Sequence, residues 1–211
     1  MKGLTTNTER IFESVSRLEC IKPYILAGGT ALSLQLNARK SEDLDFMKWR
    51  SHKSEKMEVA WYKIEKELSH IGEIERKDIL DIDHVEFVVS NVKLSFYASP
   101  KYSPVTNPVE CLNNISLADV KSIGAMKMEV MLRRSKFRDY YDIYSILKSG
   151  YDIQELIHLA LTYSGHRLKR KNLLAMLTNS NRFVRDIHFE QLEPAYNVSP
   201  GEIEAFIRSL L

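Results

Sequence analysis

The chain has 211 residues, of which 44% are hydrophobic, and a formal net charge of +2. This length suits one large domain or two small ones, and the apolar fraction indicates a globular protein with a sizeable core instead of a disordered chain. No run of about 18 apolar residues occurs and the first residues lack a signal-peptide pattern, so we expect a cytoplasmic protein without a membrane span. Cys20 and Cys111 lack metal-type spacing, which argues against a disulfide framework and a zinc site.

The first half of the chain mixes helical and extended patterns. Apolar spacing near 3.6 residues predicts helices over residues 8–18, 30–37 and 54–68, the last with Ser54 as its N-cap. Short apolar or alternating runs predict strands over residues 24–27, 43–47, 71–75, 84–89 and 92–97. Ser90-Asn91 is a two-residue polar link between the last two strands and predicts a hairpin.

The second half is predicted to be almost entirely helical. Pro100, Pro104 and Pro108 indicate a loop that does not continue the sheet, so we place a domain boundary after it, giving a core over 1–115 and a helical domain over 116–211. Residues 116–185 contain 13 Lys or Arg and 6 Asp or Glu, a net charge of +7, which leaves −5 on the rest of the chain. A basic half of this kind either binds polyanions or is a solvated helical surface.

A glycine pair lies between the first predicted strand and the helix that follows it. Gly28 and Gly29 allow the backbone to approach a ligand closely, and Thr30 stands at the start of the helix. The first amides of a helix are unpaired donors that favour anions, so this turn predicts a phosphate cradle. A glycine pair alone is more often a plain turn.

Two aspartates follow on the next predicted strand. Side chains alternate along a strand, so Asp43 and Asp45 share one face while Leu44 and Phe46 share the other. Neighbouring carboxylates repel unless a cation neutralises them, and Mg²⁺ is commonly held by one or two carboxylates together with substrate phosphate oxygens. Ser41, beside the pair, is a further candidate phosphate contact. Alone, this pattern is also typical of a solvated strand end.

A second charged pattern begins at Lys127. Arg134, Arg138 and Asp142 follow it at offsets of 7, 11 and 15, which brings all four within about 80° of one face if the helix is unbroken. Residues 135–137 are the place where it can break. Such a face suits a triphosphate, with lysine as a point charge and arginine as a fork. The alternative is a solvated helix face on which Arg138 and Asp142 form an i,i+4 pair.

These two patterns, in this order, resemble the AbiEii/AbiGii-type toxin nucleotidyltransferases of the DNA polymerase beta-like superfamily. The resemblance covers roughly residues 24–147. It implies an α+β fold, in which a polymerase-beta-like core with a small mixed sheet and flanking helices is followed by a helical C-terminal region that closes the nucleotide cleft. It also implies transfer of a nucleotide from an NTP to an acceptor such as the 3′ end of a tRNA, by a toxin that has a cognate antitoxin.

The resemblance assigns roles to the residues of both patterns. Asp43 and Asp45 would bind Mg²⁺, and Lys127 and Asp142 would complete the catalytic set. Lys127 is expected to face a triphosphate instead of a structural carboxylate. The nucleotide-binding residues would be Gly28, Gly29, Thr30, Ser41, Arg134 and Arg138.

One position departs from the superfamily pattern. Relatives commonly place a third carboxylate on a neighbouring strand, where this chain offers Ser95. Glu86 on the partner strand could replace it, or the two aspartates together with Asp142 could suffice. The alternatives are a catalytically silent nucleotide- or RNA-binding module and a phosphotransferase. The basic run over residues 166–171 is either an RNA-backbone contact or a solvated helix start.

Overall fold

The protein is described by a computed structural model, which covers residues 1–165, 167–184 and 186–211. Within these residues, seven strands form one mixed sheet: β1 (Ile25–Ala27), β2 (Leu44–Arg50), β3 (Ile74–Asp81), β4 (His84–Val89), β5 (Val92–Tyr102), β6 (Val109–Leu112) and β7 (Ile115–Leu117). Their order across the sheet is β3-β4-β5-β2-β1-β7-β6.

Helices flank this sheet and make up most of the second half of the chain. The helices of the described residues are α1 (Thr6–Ser16), α2 (Gly28–Leu36), α3 (Trp61–Leu68), α4 (Val120–Val130), α5 (Phe137–Lys148), α6 (Ile153–Tyr163), α7 (Arg170–Leu177) and α8 (Pro200–Leu210). The predicted α+β class, with a mixed sheet followed by a helical region, is therefore confirmed. In the part of the chain that the structure describes, no helix is long and apolar enough to cross a membrane.

The central strands sort apolar and polar residues onto opposite faces. β2 runs antiparallel to β1 and parallel to β5, with Asp45 paired to Ala27 on one side and to Ser95 on the other. Phe46 and Phe96 are buried on the opposite face and stack with ring centroids 5.2 Å apart. This burial fixes the register, because a slip of one residue would turn the apolar side chains outward.

The turn between β4 and β5 sets the register of the next pair. Ser90 and Asn91 both adopt positive φ angles, 52° and 60°, as a two-residue turn of the type I′ kind requires. The predicted hairpin is confirmed, and it places Glu86 directly opposite Ser95. Glu86, Ser95 and Asp45 therefore lie in one row across three adjacent strands.

The helix predicted over residues 54–68 begins only at Trp61, so the choice of Ser54 as its N-cap is wrong; Ala60 occupies that position. A tertiary contact explains why the helix begins later than predicted. The Val59 amide donates to the carbonyl of Ile82 at 2.9 Å, and the Val59 side chain is buried. This contact with the β3–β4 hairpin holds the preceding segment out of the helix.

The loop predicted around the prolines is partly wrong. Pro100 lies within β5, at a bulge where β2 passes from a pairing with Ser99 to one with Tyr102, so its missing N–H leaves the ladder intact. The later prolines precede β6 and β7, and Leu117 of β7 pairs with β1. The proposed boundary after residue 115 thus falls inside β7.

Helix α5 lies at the centre of the helical region. Tyr140 and Tyr141 are fully buried, and the Tyr141 hydroxyl donates to the carbonyl of Ala38, which follows α2, at 2.8 Å. The same hydroxyl accepts from the Tyr196 amide at 3.0 Å. These bonds attach the helical region to the segment that leads into β2, where the acidic residues lie.

Candidate active site

A cleft of about 480 Å³ lies where the polar face of β2, β4 and β5 meets helices α4 and α6. Its walls combine acidic, cationic and aromatic side chains. The residues that line it include Gly28, Gly29, Asp45, His84, Ser95, Tyr97, Lys101, Lys127, Arg133, Arg134, Tyr163 and Arg167. The sequence-predicted residues Gly28, Gly29, Asp45, Lys127 and Arg134 are brought together here.

The glycine pair makes room for two charged side chains. Gly28 has a φ of +67°, and a Cβ at this position would lie 2.5 Å from Asp45 Oδ2. A Cβ on Gly29 would lie 2.5 Å from Arg39 Nη2. Both distances are shorter than any real contact, so side chains here would displace the acidic and basic groups. Helix α2 begins at Gly28, and both glycines at its start line the cleft, where the first amides of a helix have no intrahelical partner.

Thr30 and Ser41 lie behind the glycines. Both are buried and are absent from the described lining of the cleft. The Thr30 hydroxyl donates to the backbone carbonyl of Asp43 and lies 2.9 Å from Ser41 Oγ. These contacts fasten the start of α2 to the segment before β2. The structure thus places both residues behind the glycines, where Thr30 holds the backbone of Asp43.

The two aspartates form an acidic patch at the start of β2. Asp45 lines the cleft, whereas Asp43 precedes the strand and its side chain is 38% exposed. Burial raises the pKa of both carboxyls above the ordinary aspartate value, while Lys93, whose Nζ lies 3.7 Å from Asp43 Oδ2, opposes this shift. Negative charge is therefore held at a poorly hydrated site, where a further cation would stabilise it.

The donor set fits magnesium in its chemistry. Carboxylate oxygens are the ligands that this hard cation prefers, and it usually keeps water or phosphate oxygens in its other positions. Among the described residues, no cluster of three or more His, Cys, Asp or Glu could hold a metal ion. A cation at this patch would therefore take two protein carboxylates at most and its remaining oxygens from substrate and water.

Lys127 reaches the cleft wall from α4 and is buried. Its Nζ lies 2.7 Å from Asp139 Oδ1 and 2.8 Å from Asp142 Oδ2. Burial disfavours the ammonium, but the two carboxylates outweigh it and raise the pKa of Lys127. The expectation that Lys127 pairs with no structural carboxylate is wrong, because α5 folds back against α4 and brings both aspartates to it.

Two arginines complete this cation network. Arg134 makes a forked pair with Asp139 at 2.7 and 2.9 Å, and Arg39 makes one with Asp142 at 2.8 and 2.9 Å. Arg39 is almost fully buried, whereas the Arg134 side chain is 46% exposed at the cleft. Sequence reasoning gave Arg39 no role, although its position between the glycines and the aspartates was the available signal.

The unbroken helix assumed for the second pattern does not exist. Helix α4 ends at Val130 and α5 starts at Phe137, and the turn between them changes the helical phase. Arg138 consequently points away from the described lining of the cleft and pairs with Glu42 at 2.8 Å and Asp186 at 3.2 Å. The alternative pair between Arg138 and Asp142 is wrong too, because Asp142 faces Arg39 and Lys127.

The two alternatives for the third carboxylate have different surroundings. Burial opposes the ionisation of Asp142, but Arg39 and Lys127 outweigh it and lower the pKa of this carboxyl. Asp142 is thus an ionised group whose oxygens are engaged by cations. Glu86 lies across Ser95 from Asp45, and its Oε1 is 3.6 Å from Lys93 Nζ. Glu86 is therefore the alternative that lies in the same row of the sheet as Asp45.

Proteins of similar fold and sequence are known. An uncharacterized protein of Aquifex aeolicus (strain VF5) is 26% identical over 216 residues, which cover 99% of this chain and 96% of the relative. A solved structure from H. pylori, described as a nucleotidyltransferase, has a TM-score of 0.55 at 18% identity and covers 98% of this chain and 94% of its own. MenT4, a nucleotidyltransferase toxin from Mycobacterium tuberculosis H37Rv, has a TM-score of 0.50 at 12% identity, with coverages of 97% and 88%.

These two structures confirm the nucleotidyltransferase fold predicted from the sequence. The sequence model of the nucleotidyl transferase AbiEii toxin of type IV toxin–antitoxin systems matches residues 10–208. That match covers nearly the whole length and includes both the glycine–aspartate pattern and the Lys127 pattern. The chain therefore belongs to the AbiEii family of toxin nucleotidyltransferases.

Proposed function

We propose that this chain transfers a nucleotide from an NTP to an acceptor hydroxyl, as the toxin of a toxin–antitoxin pair. One observation carries the proposal. Asp45 lies beside Gly28 on one wall of the cleft, and the cations Lys127 and Arg134 lie on another wall, close enough to oppose part of the rise that burial causes in the pKa of the Asp45 carboxyl. An acidic patch facing a cationic one suits a substrate that brings both a metal and phosphates.

Asp43 and Asp45 would hold Mg²⁺ together with oxygens of the triphosphate. When bound, the ion would act as a Lewis acid on the reacting phosphate and lower the pKa of the acceptor hydroxyl. Lys93 balances part of the charge of the carboxylates on the same face of the sheet. The first amides of α2, freed by Gly28 and Gly29, would face the phosphates.

The cation network would bind the triphosphate. Lys127 offers a fixed positive charge, and Arg134 offers an exposed guanidinium at the cleft. Both would stabilise the negative charge that develops on pyrophosphate as it leaves. Asp142 and Arg39 would act indirectly. Asp142 would orient Lys127, and Arg39 would orient Asp142. A cleft of about 480 Å³ is within the range of roughly 300–1,000 Å³ that small-molecule sites occupy.

The acceptor that we propose is RNA, such as the 3′ end of a tRNA, held by the basic helical region. Arg167 lines the cleft, and Lys169, Arg170 and Lys171 are exposed next to it. His166, at the start of this run, lies outside the described residues. We further propose that residues 116–211 act as the unit that closes over the nucleotide, and that a cognate antitoxin opposes the activity.

Labelled nucleotides test the proposal directly. The purified protein is incubated with RNA, Mg²⁺ and each NTP labelled either at the α- or at the γ-phosphorus. Nucleotide transfer predicts α-label in the acceptor and loss of that signal in Asp45→Ala. The γ-label on the acceptor would instead indicate a phosphotransferase. NTP binding without transfer of either label would indicate a silent binding module.

A further inference from the structure

A serine and a histidine meet on the cleft face of the sheet, next to the acidic patch. Ser95 is paired in register with Asp45, and its Oγ lies 3.2 Å from His84 Nε2. Both residues line the cleft. Ser95 is 8% exposed, so little of it is in contact with solvent. The proposed metal site and triphosphate site do not involve this pair.

We propose that Ser95 and His84 form the proton relay that deprotonates the acceptor, an inference that rests on the proposed nucleotide transfer. With its proton on Nδ1, His84 presents Nε2 as an acceptor for the Ser95 hydroxyl. The acceptor hydroxyl gives its proton to Ser95 Oγ as Ser95 gives its own to His84. The acceptor oxygen bonds to the α-phosphorus, and the bond from that phosphorus to pyrophosphate breaks. The imidazolium later returns its proton to solvent.

The surroundings of His84 suit this task. The ring lies edge-on to Tyr97, with centroids 5.6 Å apart, which restricts its orientation. Glu86 Oε1 lies 3.6 Å from His84 Nε2, so this carboxylate would stabilise the imidazolium once it forms. Ser95 Oγ and Glu86 Oε1 both lie near Nε2, so Glu86 would act on the imidazolium after the proton transfer and does not hold the Nδ1 proton.

The carboxylates nearby are less suited to the proton transfer. Asp142 is bound by Arg39 and Lys127, and Asp43 and Asp45 are assigned to the metal. Glu86 pairs with Lys93 and is not among the described residues that line the cleft. Several elements bring charged and titratable groups near His84. Asp81 of β3 pairs with it in the sheet, and Glu86 of β4 and Tyr97 of β5 lie against its ring. Lys93 of β5 pairs with Glu86, and Arg133 after α4 and Arg167 after α6 line the same cleft.

The test compares His84→Gln with His70→Gln, a matched change at an exposed histidine after α3. A general base contributes about 10²–10⁴-fold to rate, so kcat should fall at least about 100-fold in His84→Gln while NTP affinity and Tm stay close to wild type. His70→Gln should keep the wild-type kcat. Ser95→Ala, which removes one oxygen from a buried site, should lower kcat at least about tenfold and serves as the second variant if His84→Gln is unstable.

The pH profile separates a base from a structural residue. Wild-type kcat should rise with a one-proton step as pH increases, and the residual rate of His84→Gln should lack that step. A further variant places a carboxylate beside Asp45: Ser95→Asp in the His84→Gln background should recover at least about tenfold of the lost rate.

The possible results distinguish a failure of the proton relay from a failure of the proposed nucleotide transfer. A His84→Gln rate within twofold of wild type, the same pH step in that variant, or no recovery in a folded double variant would overturn the relay while the proposed transfer stands. Absence of α-label transfer by the wild-type protein would overturn the transfer itself, and the relay with it.

Discussion

Replacing Lys127 with methionine should destabilise the fold as well as weaken NTP binding. The side chain is buried, and its ammonium lies within 2.8 Å of carboxylate oxygens of both Asp139 and Asp142. Removing one partner of a buried ion pair costs about 3–5 kcal/mol because the remaining charge is left without compensation. Here Arg134 still holds Asp139 and Arg39 still holds Asp142, so we expect the low end, about 3 kcal/mol.

Thermal unfolding measures this cost. In a domain of 150–250 residues, 1 kcal/mol shifts Tm by about 2–4 °C, so Lys127→Met should melt on the order of 6–12 °C below wild type. Lys121→Met is the matched control, because Lys121 lies on the same helix with an exposed side chain paired to Glu155. The control should melt close to wild type. A Tm for Lys127→Met equal to that of the control would refute the reasoning.

The pH dependence of stability supplies a second readout for Lys127→Met. Cations lower the pKa of Asp139 and Asp142 in the folded state against the effect of burial. A lowered carboxyl pKa contributes stability above the unfolded-state value, near 3.9, and this contribution is lost as pH falls through the folded-state value. Without Lys127 the pKa values are lowered less, so acid unfolding should begin at a higher pH than in wild type.

Three further predictions follow from the site. Gly28→Ala combines a φ of +67° with a Cβ 2.5 Å from Asp45 Oδ2, so it should cost about 1–2 kcal/mol in urea titrations and abolish Mg²⁺-dependent transfer. Burial raises the folded-state pKa of Asp45, so the charge of this carboxylate destabilises the fold at neutral pH. Asp45→Asn should therefore raise Tm in EDTA, whereas Mg²⁺ should raise Tm only in the wild-type protein. Replacing the basic run with glutamine should flatten the plot of log RNA affinity against log salt by about 0.7 per lost phosphate contact, with NTP affinity unchanged; the changed residues are Arg167, Lys169, Arg170 and Lys171.

The parts of the site that lie close in sequence were predictable. Gly28-Gly29 begin α2 directly after β1, and Asp43-x-Asp45 lie at the start of β2, so local periodicity is enough to place them on one edge of the sheet. The register that sets Asp45 beside Ser95 follows from the alternation of apolar residues, with Phe46 and Phe96 buried on the other face. The geometry of such local patterns can be predicted from the sequence because it depends on residues that are close in the chain.

Contacts between distant segments were not predictable in the same way. The Arg39–Asp142 pair joins residues 103 positions apart, and it depends on how α5 packs against the segment after α2. The two carboxylates on Lys127 arise from the turn between α4 and α5, whose angle no periodicity specifies. At residues 54–60 a single hydrogen bond to the β3–β4 hairpin overrides a helical pattern, since intrinsic propensity is weak beside tertiary contacts.

Lys127 and Arg134 contribute differently to the cation network, because Lys127 is buried and Arg134 is half exposed. Arg39, Lys127 and Arg134 bring three positive charges to the two carboxylates of Asp139 and Asp142, which leaves one positive charge in excess beside the acidic patch. Lys127 is fixed between both carboxylates and is pre-organised as a point charge. Arg134 is half exposed, and Asp139 would keep Lys127 as a partner if Arg134 turned towards a phosphate. Binding of a triphosphate would therefore recruit the arginine fork without leaving a buried carboxylate unpaired.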